Sequence, residues 1–370
     1  MTETKRYLLL FAIMILGIPF AYHRRVAFEA IFLAYLSNVL FFIILVSQID
    51  SLKRLKSLLV IICLSAFLYS FFGFYYGTFL GGRFAIYGAM FDPNDIAYVL
   101  ISLCPLCIFF LQSGGLLKKV VSIVTICSSI TVILLTGSRG GMVGMLAVLA
   151  FMLLTKTEGI KFRHKIFLLC VLAVVGILLG DKINVERYLT LTDLQSDYNA
   201  YDEFGRMEIW KHGIALALEH PLTGVGVDCF GMALGFRRDE LGLLPKWQAP
   251  HNSFVQVAAE IGLVGFAVFT LISVRTLRTF WRASRIEFES AETREIRMLG
   301  SVMLLGFVGH LASAFFLTQG WSVFFTLFFA LAAVVQRLQA LPAVCDASNQ
   351  SNVRVSRRMP LKRISRIRHV

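Results

Sequence analysis

Charge is scarce in this sequence. Asp, Glu, Lys and Arg make up 16% of its 370 residues, against about 25% in a soluble domain. With 57% hydrophobic residues, 33 phenylalanines and a mean hydropathy of +0.72, the shortfall excludes a soluble globular protein. No HExxH, acidic metal cluster or Ser/His/Asp nucleophile motif occurs. Cysteines are few. Six of the seven lie in apolar stretches or the C-terminal tail (Cys63, Cys104, Cys107, Cys127, Cys170, Cys345), and Cys229 alone sits in the long polar segment, so no disulfide can close within it. The CPLC at 104–107 has metal or redox spacing, but it lies inside an apolar run without a second ligand pair and reads as core packing. A cleavable signal peptide is also missing. The apolar run after MTETKR ends in PFAYHRR rather than at small residues, so the first span is expected to be retained. The basic tail RVSRRMPLKRISRIRHV comes with no nucleic-acid recognition module, so no nucleic-acid partner is expected; anionic lipid headgroups are.

What is abundant is apolar sequence of membrane length. A span needs about 20 mostly apolar residues, and ten candidate stretches occur near 7–22, 26–46, 57–76, 95–112, 117–136, 140–155, 165–180, 253–273, 298–318 and 321–336. Lysine and arginine set the orientation, because short cytoplasmic loops accumulate them. With the N-terminus inside, 25 of the 36 fall on the cytoplasmic side, and seven of the remaining 11 lie in the one long outer segment, 181–250. The net charge of +13 is then mainly a topology signal. The AYHRR at 21–25 breaks the rule, since this arrangement puts it outside.

In that arrangement the unusual polar clusters share the outer face. LLTGSRGGMVG places Arg139 between glycines at the junction of two apolar stretches. Ionisable residues in the membrane are costly and tend to mark function, although an arginine near the interface also serves as a plain anchor. GGRFAIYGAMFDPNDIA at 81–97 contains Arg83, with no acidic neighbour close by, and a capping arrangement of Asp92, Pro93 and Asp95. After Asp202 as N-cap, EFGRMEIWKHGIALALEH has helical periodicity, with Arg206, Trp210 and Gly213 on one stripe. That stripe suits a flat or anionic ligand or a lipid interface equally well. HPLTGVGVDCFG is rich in glycine without phosphate-loop spacing and reads as a turn. PHNSF opens another span, with His251 able to take a proton and Asn252 or Ser253 able to cap the helix. His310, within a span, reads as packing.

TGSRGG, GRMEIWKHGIALALEHPLTGVG and HNSFVQVAAEIGLVG, in that order and on one face, resemble the O-antigen ligase and polymerase superfamily of bacterial inner-membrane glycosyltransferases. The likeness runs over about residues 80 to 270. It implies an all-α polytopic membrane protein of about ten to twelve transmembrane helices, in the inner membrane, with one long periplasmic loop containing an amphipathic helix. The divisions are 1–180 (N-terminal spans), 181–250 (loop), 251–336 (C-terminal spans) and 337–370 (basic cytoplasmic tail).

The resemblance further implies a glycan transferase acting at the periplasmic face, without nucleotide sugar, cofactor or metal. Its donor is a polyprenyl-pyrophosphate-linked glycan. Its acceptor is a sugar of lipid A-core in a ligase, another lipid-linked repeat in a polymerase, or a protein in an O-oligosaccharyltransferase. By the same resemblance Arg139 and Arg206, with Arg83 as a weaker third, bind the pyrophosphate. His251 is the catalytic residue that activates the acceptor hydroxyl, with Trp210 and Asn252 in support. The reading from another class is a transporter of an anionic lipid-linked substrate, in which the arginines bind without chemistry.

Overall fold

The computed structural model describes residues 2–80, 82–85, 92–154, 160–189, 205–287 and 290–356, with side chains to Ala340. In hydrocarbon every backbone N–H and C=O needs an internal partner, which favours helices. Among the described residues the regular structure is helical apart from one small hairpin. Its helices are α1 Glu3–Gly17, α2 Arg24–Gln48, α3 Leu52–Tyr76, α4 Pro93–Ser113, α5 Leu116–Leu135, α6 Arg139–Leu154, α7 Phe162–Leu179, α8 Val185–Leu189, α9 Arg206–Glu219, α10 Phe230–Glu240, α11 Ser253–Ala283, α12 Ala291–Ala314 and α13 Val323–Ser356. Several starts are capped as the sequence leads one to expect. Asp92 accepts from the backbone N–H of Asn94, with Pro93 in the first turn of α4. Asn252 accepts from the N–H groups of Phe254 and Val255 at the start of α11. The expected N-cap Asp202 lies outside the described residues, and Gly205 precedes α9.

Eight of these helices are long and apolar enough to cross a membrane, against the ten stretches expected. The difference lies in α1, with 15 residues, and α6, with 16. At 1.5 Å per residue they cover roughly 22–24 Å, short of a hydrocarbon layer of about 30 Å. Both still run between the same two ends of the bundle. α1 starts at Glu3, bound by Arg275, and finishes at Gly17 beside the carbonyl of Thr223. α6 starts beside Phe316, and near its end the carbonyl of Met152 accepts from Lys165.

The bundle is organised around α4, which is almost wholly buried. Small residues let α12 approach it closely. A Cβ at Gly306 would lie 2.7 Å from the carbonyl oxygen of Ser102, and one at Gly309 would lie 2.7 Å from the side chain of Ile101. Cys104 and Cys107 are buried in this packing. His310 is buried too, but it takes part in a polar chain as well as the core: its Nδ1 is 3.1 Å from Ser102 Oγ and its Nε2 is 3.4 Å from Tyr98 Oη. Outward side chains such as Leu33, Ile177 and Leu178 are exposed, as they are in a protein surrounded by acyl chains.

Two polar ends result. At one, Lys56 pairs with Glu295 at 2.7 Å, Arg275 with Glu3 at 2.7 Å, and Arg337 donates to the carbonyl of Val46. At the other, the backbone N–H of Tyr22 donates to the carbonyl of Val225 at 2.9 Å, joining the AYHRR turn to the segment after α9. The segments assigned from charge to opposite sides thus gather at opposite ends. The hairpin, β1 Thr78–Leu80 and β2 Arg83–Ala85, pairs Phe79 with Phe84 and adds strand to an architecture expected to be entirely helical.

The glycine-rich turn after α9 docks onto a helix. α11 is kinked at Gly262, whose φ of 70° is open to glycine at little cost. The exposed N–H groups of Leu263 and Val264 donate to the carbonyl of Pro221 at 2.7 and 3.3 Å. Gly224 comes so close that a Cβ there would lie 2.5 Å from the carbonyl oxygen of Glu260.

Candidate functional site

The turn between α5 and α6 is the foundation of the site. The last carbonyls of a helix carry partial negative charge and lack intrahelical donors. Two arginines from distant segments supply them: Arg83 Nε donates to the carbonyl of Thr136 at 3.1 Å, and Arg187 Nε to that of Gly137 at 2.9 Å. Asn94, at the start of α4, ties the parts together. Its Oδ1 accepts from Arg83 Nη2 at 3.0 Å and from Ser138 Oγ at 2.9 Å, while Ser138 Oγ accepts from the N–H of Gly141. Arg139 therefore opens α6 at a helix N-terminus, where the dipole adds to its charge.

Above this turn lies a pocket lined by Asn94, Ser138, Arg139, Gly140, Arg187, Arg206, Phe316 and Leu317. Two of the three expected arginines, Arg139 and Arg206, line it. Arg83 stands behind the wall as a clamp on Thr136 and Asn94, and the positive charges of Arg187 and Arg139 help to push its pKa down after burial, its first cause. Arg187 lines the pocket although sequence reasoning missed it; it belongs to no motif and differs from the other basic residues of its segment only in where α8 puts it. Asn94 lies between the capping residues Pro93 and Asp95, and nothing in the sequence singles out its bridging role. Asp95 does not close a reciprocal cap; it accepts from Gln319 Nε2 at 2.9 Å.

His251 stands beside this cationic pocket. Its backbone N–H donates to Thr318 Oγ1 at 2.9 Å, and its φ of 48° is uncommon outside glycine. Its imidazole pKa is lowered first by desolvation and then by the positive charge of Arg206, with Asp92 acting in the opposite sense. Trp210 Nε1 donates to the carbonyl of Pro250 at 2.8 Å, fixing the peptide just before His251, and its ring meets Phe315 edge-on. Asn252 fixes the peptide just after it by capping α11. The connection between α12 and α13 closes the arrangement, as Ser253 Oγ donates to the carbonyl of Leu317 at 2.7 Å and accepts from the N–H of Gln319 at 3.0 Å.

The stripe on α9 faces this site and α11 rather than lipid. Arg206 enters the pocket, Trp210 holds Pro250, and a Cβ at Gly213 would lie 2.4 Å from Val255. Among the described residues no group of three or more His, Cys, Asp or Glu side chains is placed to hold a metal.

Residues 123–270 match the family described as O-antigen ligase. Over that stretch, about two-fifths of its length, the chain is similar to the O-antigen ligase superfamily. The match runs from α5 to the middle of α11 and takes in Arg139, Arg187, Arg206, Trp210, His251 and Asn252. A protein of Haemophilus influenzae, itself described only as uncharacterized, is 22% identical over 201 residues, covering 50% of this chain and 49% of that one. The chain therefore spans about half the length of this curated relative. The match to the O-antigen ligase family and the eight apolar helices agree on a multi-pass membrane protein.

Proposed function

We propose that the protein transfers a glycan from a polyprenyl pyrophosphate to an acceptor hydroxyl at the periplasmic face of a bacterial inner membrane, in the manner of an O-antigen ligase with lipid A-core as acceptor. One observation carries the reading: Arg139, Arg187 and Arg206 line one pocket, and His251, beside it, is biased towards its neutral form.

The chemistry follows from that placement. A pyrophosphate leaving group concentrates negative charge, which planar guanidinium groups bind in fixed geometry. The acceptor oxygen attacks the anomeric carbon as the bond from that carbon to the pyrophosphate oxygen breaks; the bonding pair leaves with the polyprenyl pyrophosphate, and the acceptor proton passes to His251. Arginines stabilise the charge developing on the leaving oxygen, while a neutral imidazole is the form able to take a proton. Trp210 and Asn252 position the base from either side.

The test is transfer of a labelled glycan from a defined lipid pyrophosphate by the purified protein, with donor binding measured on the same preparation. His251→Ala is expected to lower turnover by roughly 10²–10⁴-fold with donor affinity kept, and Arg139→Ala to lower it by roughly 10²–10³-fold. Activity is expected to survive chelation of divalent cations. A His251→Ala protein as active as wild type removes the general base. Donor binding and translocation without transfer make the protein a transporter. In a deletion strain, lipid A-core bare of polymer supports a ligase, whereas caps of a single repeat make the protein a polymerase.

A further inference from the structure

Two compartments of opposite character lie near His251, which lines neither but whose contacts reach both. On one side is the cationic pocket; on the other is a cavity of about 310 Å³ lined by Asp228, Phe230, Gly231, Met232, Trp247, Ala249, Pro250, Gln256, Glu260 and Thr318. The two are neighbours through the clasp described above: Leu317 lines the first, and Thr318, which holds the His251 N–H, lines the second. Pro250, the residue before His251, is also part of the second wall.

The lining selects its ligand by chemistry. Among the lining residues none is basic and two are carboxylic acids, so a pyrophosphate is disfavoured here. Glu260 is 2% exposed and accepts from Trp321 Nε1, with the backbone N–H of Asp228 also directed at it. Asp228, also in the lining, is exposed and has a φ of 60°. Trp247 is 56% exposed and its ring is held in place, edge-on to Phe236 and against the backbone of Gly235. An exposed, immobilised aromatic face beside hydrogen-bond acceptors suits a neutral sugar ring, whose C–H face is apolar and whose hydroxyls donate. The volume is at the small end of ligand pockets, about 300–1,000 Å³, which fits the end of a glycan rather than a long chain.

We propose that this cavity is the acceptor subsite, taking the uncharged terminal sugar of the acceptor against Trp247 and the Asp228 and Glu260 carboxyl groups and presenting one hydroxyl past Pro250 and Thr318 to His251. The proposal rests on the transfer reading above. It gives the protein two binding regions sorted by charge, with the base at their boundary.

The probe is core oligosaccharide freed of lipid, observed by saturation-transfer NMR on the full-length protein in nanodiscs, alongside transfer kinetics with intact core glycolipid. Trp247→Ala and Asp228→Asn are each expected to raise the acceptor KM about tenfold, the loss of a stacked ring or of one hydrogen bond to a charged group, with donor Kd unchanged. Trp247→Phe, which keeps an aromatic face, is expected to restore most of the acceptor affinity and so separates contact from misfolding. Transfer with acceptor KM unchanged in both variants overturns the subsite and leaves the transferase reading standing. Oligosaccharide binding that Trp247→Ala abolishes, in a protein without transfer activity, supports the subsite while the transferase reading falls. If chelators reproduce the Asp228→Asn effect in wild type, the carboxyl groups hold a cation and the proposal fails.

Discussion

Arg206 and His251 carry the sharpest consequence at the scale of single residues. Arg206 is the positive charge that, after desolvation, depresses the His251 pKa below its usual 6.5. The neutral imidazole is the base, so transfer is expected to persist below pH 6.5 and to fall as pH drops through the lowered value. Removing the charge with Arg206→Ala raises that value, so the acidic limb of the pH–rate profile moves to higher pH. Arg206→Lys keeps the charge but loses the planar fork; it is expected to lose much of the activity with the limb in place. Normalised pH profiles of the three proteins check this, and an unmoved limb in Arg206→Ala uncouples the two residues. Arg139, Arg206, His251, Trp210 and Asn252 were legible because each stands in a short patterned motif. Arg83 was legible as an unusual cation but not as a clamp, because its partners are carbonyls and an amide contributed by other segments. Arg187 was not legible at all, since only the fold brings it to Gly137.

At the scale of elements, apolar runs and capping residues sufficed to find nearly every long helix. The kink in α11 escaped, because EIGLVG offers the same glycine whether it packs or bends, and the turn that fills the kink lies some forty residues earlier. The two were one feature. Pro221 satisfies the N–H groups that Gly262 leaves open, and in doing so places α9, Trp210 and the cavity wall against α11. Gly262→Ala introduces a Cβ 2.7 Å from the Pro221 carbonyl oxygen at a left-handed φ, a strain of about 1–3 kcal/mol. The variant is expected to melt at lower temperature in detergent. Its Cys229, which is buried beside the AYHRR turn with its pKa raised to about 11 by desolvation, is expected to react faster with a maleimide in a single-cysteine background. Unchanged melting and labelling show that the turn does not depend on the kink.

At the scale of the whole molecule, charge placement along the sequence and contacts in the structure meet on one point. Short basic loops fix orientation as a membrane protein is inserted, a constraint independent of how the finished helices pack. Yet the segments it assigns to one side are those joined by Lys56–Glu295, Arg275–Glu3 and the Arg337 contacts, and the segments it assigns to the other include 21–25, 137–139 and the described parts of 181–250. The exposed arginines Arg24 and Arg25 run against the charge bias locally, but the Tyr22 to Val225 hydrogen bond keeps their turn with the site end. A protein that spends lipid-linked pyrophosphate at the periplasmic face needs the arginine pocket at that end. Reporter fusions at Lys56, Lys118, Lys161 and Arg285 are therefore expected to read cytoplasmic, and fusions at Arg139 and Leu241 periplasmic. The Arg139 fusion is the most informative, since the short helix α6 places this residue at the site end only if α5 and α6 both traverse the bundle. A cytoplasmic signal there, or at Leu241, would put the pocket, His251 and the acidic cavity on the wrong side of the membrane for a periplasmic donor and remove the basis for transfer at that face.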